Sequence, residues 1–197
     1  MTNVLVLGAN GRIARVATAL FLQLPNIRLT LFLRRAGRLQ GPPSDRGRVI
    51  EGDVLDKDAL DAAMAGQDVV YANLAGPLEP MARNIVETMN ATKLRRLIFI
   101  SSMGIYDEVP GERYGSILDP YRKAAAVIEA SVLDYTILRP AWLNDRDEIA
   151  YETTQKGESF KAANASVSRK SVADLVVRLA TTPGMEIGRS LGVHKAT

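Results

Sequence analysis

At 197 residues, 47% hydrophobic and 24% charged, the chain fits one globular domain or one with a small appendage. It contains no cysteine, which excludes disulfides, thiolate catalysis and zinc–thiolate sites. A formal charge of +3 is too small to argue for nucleic acid. No apolar run reaches membrane-spanning length and no signal-type segment opens the chain, so a cytoplasmic protein without a nucleic-acid or membrane partner is expected.

The predicted elements begin with a short aliphatic run, Val4-Leu5-Val6-Leu7, suited to a strand buried on both faces. Gly8 and Gly11 interrupt it, and a helical pattern follows at Ile13, Val16, Ala17, Leu20, Phe21 and Leu24. A strand, a glycine turn and a helix aim free backbone N–H groups and the positive end of a helix dipole at one point, which suits a pyrophosphate. A turn built from two glycines is otherwise common, so the strand-to-helix context carries the inference.

Ile27 to Leu33 reads as a second buried strand, ending in Arg34-Arg35 and a polar, proline-containing loop through Gly47. In a dinucleotide fold this strand end lies beside the adenosine ribose. An acid there binds the 2′-hydroxyl of NAD, whereas arginine accommodates the 2′-phosphate of NADP. Two arginines and no acid follow the strand, and a guanidinium pairs bidentately with phosphate, so NADP is preferred over NAD. Arg12 would reach the same phosphate. Arg12, Arg15, Arg34, Arg35, Arg38, Arg46 and Arg48 all fall in the first quarter, either as a solvated basic face or as an anionic ligand site.

Val49-Ile50-Glu51 is a third strand, followed by Gly52-Asp53-Val54. Asp53 would accept from an adenine amino group with Val54 on the ring, or serve as an N-cap or turn residue for a helix over 56–65. Strand four, 68–72, closes in Asn73-Leu74-Ala75-Gly76-Pro77, whose small residues would let a cofactor approach the backbone. A helix over 79–92 and strand five, 97–100, lead to Ser101-Ser102 and a loop to about Ser116. Pro120 starts a helix carrying Tyr121 and Lys123 to Ser131, and strand six, 136–138, delivers Arg139-Pro140-Ala141-Trp142. After Leu143 the pattern weakens to a short strand within 150–155, a helix over 171–180 with Ser171 and Asp174 at capping-box spacing, and a last strand at 190–193. The alternation gives an α/β class: a Rossmann-like, doubly wound, mainly parallel sheet with helices on both faces. Residues 144–197 are expected to finish the same domain, 1–197, and to cover its substrate side.

Gly8-Ala9-Asn10-Gly11-Arg12-Ile13-Ala14 resembles the Gly-x-x-Gly-x-x-Gly/Ala cofactor loop of the short-chain dehydrogenase/reductase superfamily. Gly52-Asp53-Val54, Asn73-Leu74-Ala75-Gly76 and Ile100-Ser101-Ser102 fall where that superfamily has its adenine, ribose-side and active-site serine segments. Residues 138–143 and 167–174 resemble its atypical, NmrA-like branch. The resemblance covers nearly the whole chain. It implies cofactor contacts from Gly8, Asn10, Gly11, Arg12, Ile13, Arg34, Arg35, Asp53, Val54, Leu74, Ala75, Gly76, Ser101, Lys123, Pro140 and Trp142, with Ser102 and Lys123 as catalytic residues.

One departure limits what carries over. The superfamily's Tyr-x-x-x-Lys uses lysine to lower the tyrosine pKa and tyrosine to move the proton. Lys123 matches the lysine, but Asp119 stands four residues earlier, and Tyr121 points to a different side of the helix. Lys123 would then hold ribose hydroxyls, or is a solvated helix lysine. Tyr106, Tyr114, Tyr121 and Asp119 are candidate substitute acids. His194 is expected at the surface, and Trp142 either walls the substrate pocket or packs in the core.

A flavin, quinone or similar conjugated acceptor needs little help from a protein acid, and NmrA-like reductases of that kind lack the tyrosine too. An NADPH-dependent reductase of such a small molecule is therefore expected. The alternative is a non-catalytic NADP(H)-sensing regulator that binds a protein partner. The missing tyrosine and short C-terminal portion speak against an epimerase or dehydratase.

Overall fold

The computed structural model describes residues 1–39 and 45–196, so residues 40–44 of the proline-containing loop lie outside the described residues. In chain order the elements are β1 (Thr2–Leu7), α1 (Arg12–Leu22), β2 (Ile27–Leu33), β3 (Gly47–Glu51), α2 (Lys57–Met64), β4 (Val69–Ala72), α3 (Leu78–Ala91) and β5 (Arg96–Ile100). There follow α4 (Asp119–Glu129), β6 (Asp134–Pro140), β7 (Leu143–Asn144), β8 (Tyr151–Gln155), β9 (Val167–Ser168), α5 (Arg169–Thr181) and β10 (Arg189–Lys195).

Eight strands form one sheet in the order β3-β2-β1-β4-β5-β6-β10-β8, parallel throughout except where β8 runs antiparallel to β10. Period-two alternation divides each central strand between two cores. Val4 and Val6 face α1 and α5, which pack side by side, while Leu5 and Leu7 face the layer of α2, α3 and α4. Helices therefore cover both faces, in the doubly wound arrangement expected. From β1 the chain winds outward through β2 and β3, then crosses back to β4 and winds the other way. That reversal opens a crevice between the carboxyl ends of β1 and β4.

The last third departs from the expected pattern in informative ways. Ser168, not Ser171, caps α5: its hydroxyl accepts from Ser171 N–H at 2.9 Å. Asp174, expected to complete a capping box, instead accepts from the Tyr151 hydroxyl at 3.0 Å. β10 runs on to Lys195 between β6 and β8, which buries His194 completely; its Nε2 lies 2.8 Å from Thr154 Oγ1 and its ring meets Phe160 edge-on. The expected surface histidine is thus a core residue. No helix among the described residues is long and apolar enough to cross a membrane.

Candidate functional site

The crevice between β1 and β4 holds a cleft of about 420 Å³. Its floor is the turn after β1. Gly8 has φ +76°, a left-handed backbone that an L side chain adopts only with strain. A Cβ there would lie 2.2 Å from the Asn73 carbonyl oxygen, and one at Gly11 would lie 2.1 Å from Asn73 Nδ2. Both glycines are thus set by the close approach of the β1 and β4 ends, with Asn73 N–H bonded to Leu7 O at 2.9 Å. Gly11 is the N-cap of α1 and no side chain caps that helix, so its first-turn N–H groups remain open to a ligand. Asn10 Oδ1 is buried without a partner at the same turn. Left-handed glycine and free amides fit a diphosphate, whereas the Asn10 amide oxygen is an acceptor and calls for a donor.

The opposite end of the cleft is cationic. Arg34, Arg35 and Arg38 line it, exposed and without an ion pair among the described residues. The turn that carries them is held by Glu51, whose Oε2 accepts from Ala36 N–H at 2.7 Å. Glu51, in register with Leu33 at the end of β2, is therefore bonded to backbone. Gly52, Asp53 and Val54 form the adjoining wall. A Cβ at Gly52 would meet the Phe32 ring at 2.6 Å, so glycine is required there by packing. Asp53 Oδ1 accepts from Leu55 N–H at 2.9 Å, as a turn residue, while Asp56 is the N-cap of α2. The turn role of Asp53 leaves its other carboxylate oxygen to the cleft.

Of the residues singled out from the sequence, Gly8, Asn10, Gly11, Arg34, Arg35, Asp53, Val54, Leu74 and Ala75 converge on this cleft. The rest sit elsewhere. Ile13 packs in the core beneath α1, and Gly76 is exposed with φ +111° just beyond the lining. Arg12 turns to an ion pair with Asp145 instead of the strand end where Arg34 and Arg35 lie. Ser101 is buried with an unpartnered Oγ, and Ser102 donates to Met103 O at 3.1 Å. The Lys123 side chain is 64% exposed and its Nζ lies 3.9 Å from Glu79, whose carboxyl is held below its usual range chiefly by a hydrogen bond from Arg83. Pro140 ends β6 in the interior, whereas Trp142 is 61% exposed and belongs to no core. Asn73, Arg38, Phe32 and Met81 also line the cleft, beyond the ligands expected from sequence. Arg38 is visible in the run of arginines, and Asn73 in the strand-end segment.

Each candidate acid beyond β5 can be placed. Tyr106 donates to Glu129 Oε1 at 2.6 Å and lies 3.2 Å from Ser190 Oγ; burial pushes its hydroxyl well above the ordinary phenol range. Asp119 pairs with Arg122 at 3.1 Å. Tyr114 packs its ring against Gly104, where a Cβ would lie 2.3 Å away, and burial raises its pKa too. Tyr121 packs on the α2–α4 side core. Raised phenols hold their protons at neutral pH and so are poor proton donors.

Residues 8–183 match the NAD(P)H-binding family. The chain is similar to a Rossmann-fold NAD(P)-binding family protein from Shigella flexneri, with 44% identity, a TM-score of 0.90, and 99% of this chain and 94% of that one covered. It is similar at 28% identity and a TM-score of 0.89 to a short-chain dehydrogenase/reductase from Veillonella parvula in complex with NADP, over 98% of this chain and 94% of that one. An anaerobillin reductase from Escherichia coli O157:H7 shares the fold, with 20% identity, a TM-score of 0.84 and coverage of 98% and 97%.

Proposed function

The chain belongs to the NAD(P)H-binding, Rossmann-fold family, and from that membership we propose that it is a cytoplasmic NADPH-dependent reductase of a flavin, quinone or similar small conjugated acceptor. The observation that carries the cofactor preference is the trio Arg34, Arg35 and Arg38 at the end of β2, with the neighbouring acid Glu51 bonded to Ala36 N–H. Guanidinium groups there would take a 2′-phosphate, and the Gly8–Gly11 turn with the α1 N-terminus would take the diphosphate. The Veillonella protein's complex with NADP supports the same preference.

When bound, NADPH would supply a hydride. The chain's own part is to hold and orient: Ser101 and Ser102 at the end of β5 and Lys123 on α4 are proposed to face the nicotinamide half, with Pro140 and Trp142 beyond β6 and residues 144–197 on the substrate side. The choice of a conjugated acceptor rests on proton supply. Asp119 occupies the tyrosine position and is bound to Arg122, and Tyr106 is bound to Glu129. An acceptor protonated by solvent suits a site without a dedicated acid.

The test follows NADPH oxidation by the purified protein against a panel of flavins and quinones. Turnover with at least one acceptor is expected. Cofactor binding with no oxidation by any of them would overturn the reductase reading and favour the NADP(H)-sensing regulator, for which the missing tyrosine is the supporting observation.

A further inference from the structure

Arg12 is the first residue of α1, directly after the cleft residue Gly11, yet its guanidinium is paired with Asp145. Asp145 also accepts from Arg169 Nη1 at 2.7 Å, and Arg169 is the first residue of α5. One carboxylate thus joins the N-termini of two neighbouring helices, the ends where an anion is favoured and an unpaired arginine is not. The Lys170–Asp147 pair, at 2.5 Å, ties the same segment to α5 alone.

The segment ends on Glu148, whose carbonyl accepts from the Ser168 and Ser171 hydroxyls at 2.6 and 3.2 Å. It begins at β7, whose ladder is with β9 alone, outside the main sheet. Asn144 adds a bond to Ser166 Oγ at 2.7 Å. The Arg12–Asp145 pair is exposed on both sides, 60% and 62%, whereas Arg169 is only 13% exposed in its pair with Asp145. Surface pairs are weak and yield to a stronger competitor.

We propose that Asp145 is a latch: it occupies Arg12 in the cofactor-free protein, and a dinucleotide diphosphate arriving at the Gly8–Gly11 turn takes Arg12 from it, undoing the tie between α1 and the 143–148 segment while Arg169 keeps Asp145. This rests on the cofactor reading of the cleft. The chemistry is exchange of one anion for another on a single guanidinium, and a diphosphate offers more charge and more acceptor oxygens than a carboxylate. Occupancy of the cofactor cleft is thereby coupled to the stretch that follows Trp142. The coupling can amount to no more than the difference in affinity for the latched and unlatched forms.

The test titrates NADP by calorimetry into the wild type, Asp145→Asn, Arg12→Ala and the double variant, and follows amide hydrogen exchange of 143–148 with and without NADP. Asp145→Asn is expected to bind about two- to fivefold tighter, the range for releasing one exposed pair. That gain should vanish when Arg12 is alanine. Exchange at 143–148 should rise on NADP binding in the wild type and be high from the start in Asp145→Asn. Unchanged or weaker NADP binding by Asp145→Asn overturns the latch. So does a gain that survives Arg12→Ala, which means direct repulsion, and so does exchange that falls or stays level on binding. Wild-type protein that binds neither NADP nor NAD would overturn the cofactor reading itself, and the latch with it.

Discussion

Arg34, Arg35 and Arg38 rim the cleft, exposed and without an ion pair among the described residues, whereas Arg139 on β6 of the same sheet is wholly buried and makes four hydrogen bonds within its own chain. Arg139 pairs with the buried Glu108 and donates to Ser190 Oγ and Ser190 O at 3.1 Å each and to Thr154 O at 3.3 Å. Its guanidinium also stacks 5.1 Å from the Tyr106 ring centroid. Glu108 in turn accepts from the backbone of Gly104 and Tyr106, so the loop after β5 is fastened to β6, β8 and β10 through one cation. A buried guanidinium bonded within its own chain organises structure. One that ends in solvent beside a glycine turn is spare for a ligand.

The largest expected effect lies on the buried side of that contrast. Arg139→Ala strands Glu108 as an uncompensated buried charge, and should lose about 3–5 kcal/mol of stability in urea denaturation. Replacing Arg139 and Glu108 together by methionine should cost less than the single change, because no lone charge remains, but not nothing, because the Gly104 and Tyr106 N–H groups lose their acceptor. NADP affinity of the folded protein should stay within a factor of a few. A mild loss from Arg139→Ala would break the contrast at its stronger end.

Next comes the glycine turn between the two regions. Gly8→Ala forces an L residue to φ +76° and puts a methyl 2.2 Å from the Asn73 oxygen. Left-handed strain and overpacking together should cost about 2–4 kcal/mol in thermal or urea unfolding, with NADP and NAD binding weakened alike. The symmetry between the two cofactors matters, because the diphosphate end cannot tell them apart.

The sheet is legible in the sequence because buried parallel strands declare themselves as aliphatic runs, and because two glycines between such a run and a helix have few other uses. What escapes are pairings across long stretches of chain. Arg12 reads as a phosphate ligand because nothing local says that Asp145, 133 positions on, would claim it. His194 reads as surface from its place near the chain end, while its burial depends on β8 and β6 flanking β10. Ser171 and Asp174 have the right spacing for a cap, but the helix starts one turn earlier, so Ser168 takes the role. Asn73 carries the turn through its backbone as much as its side chain, and backbone roles leave little trace in residue type. Ser102 and Lys123 rest on likeness alone, and they share no hydrogen bond among the described residues.

The smallest of the three effects is the most selective. Arg34→Ala removes a guanidinium with no ion pair among the described residues, so stability should move by less than about 0.5 kcal/mol, as at ordinary surface positions. Affinity for NADPH should fall by about 1.5–3 kcal/mol in calorimetric titration, the range for hydrogen bonds to a charged group, while NADH changes little. Arg35 and Arg38 beside it would blunt the loss if they share the phosphate, which places the single variant at the low end and a combined Arg34→Ala, Arg35→Ala variant higher. Equal losses for NADPH and NADH would mean that the turn held by Glu51 at Ala36 had shifted, not that a phosphate contact was gone. A stability loss approaching that of Arg139→Ala would mean that Arg34 supports the fold to the same degree as the buried arginine, and Arg35 and Arg38 alone would then be left to distinguish NADPH from NADH.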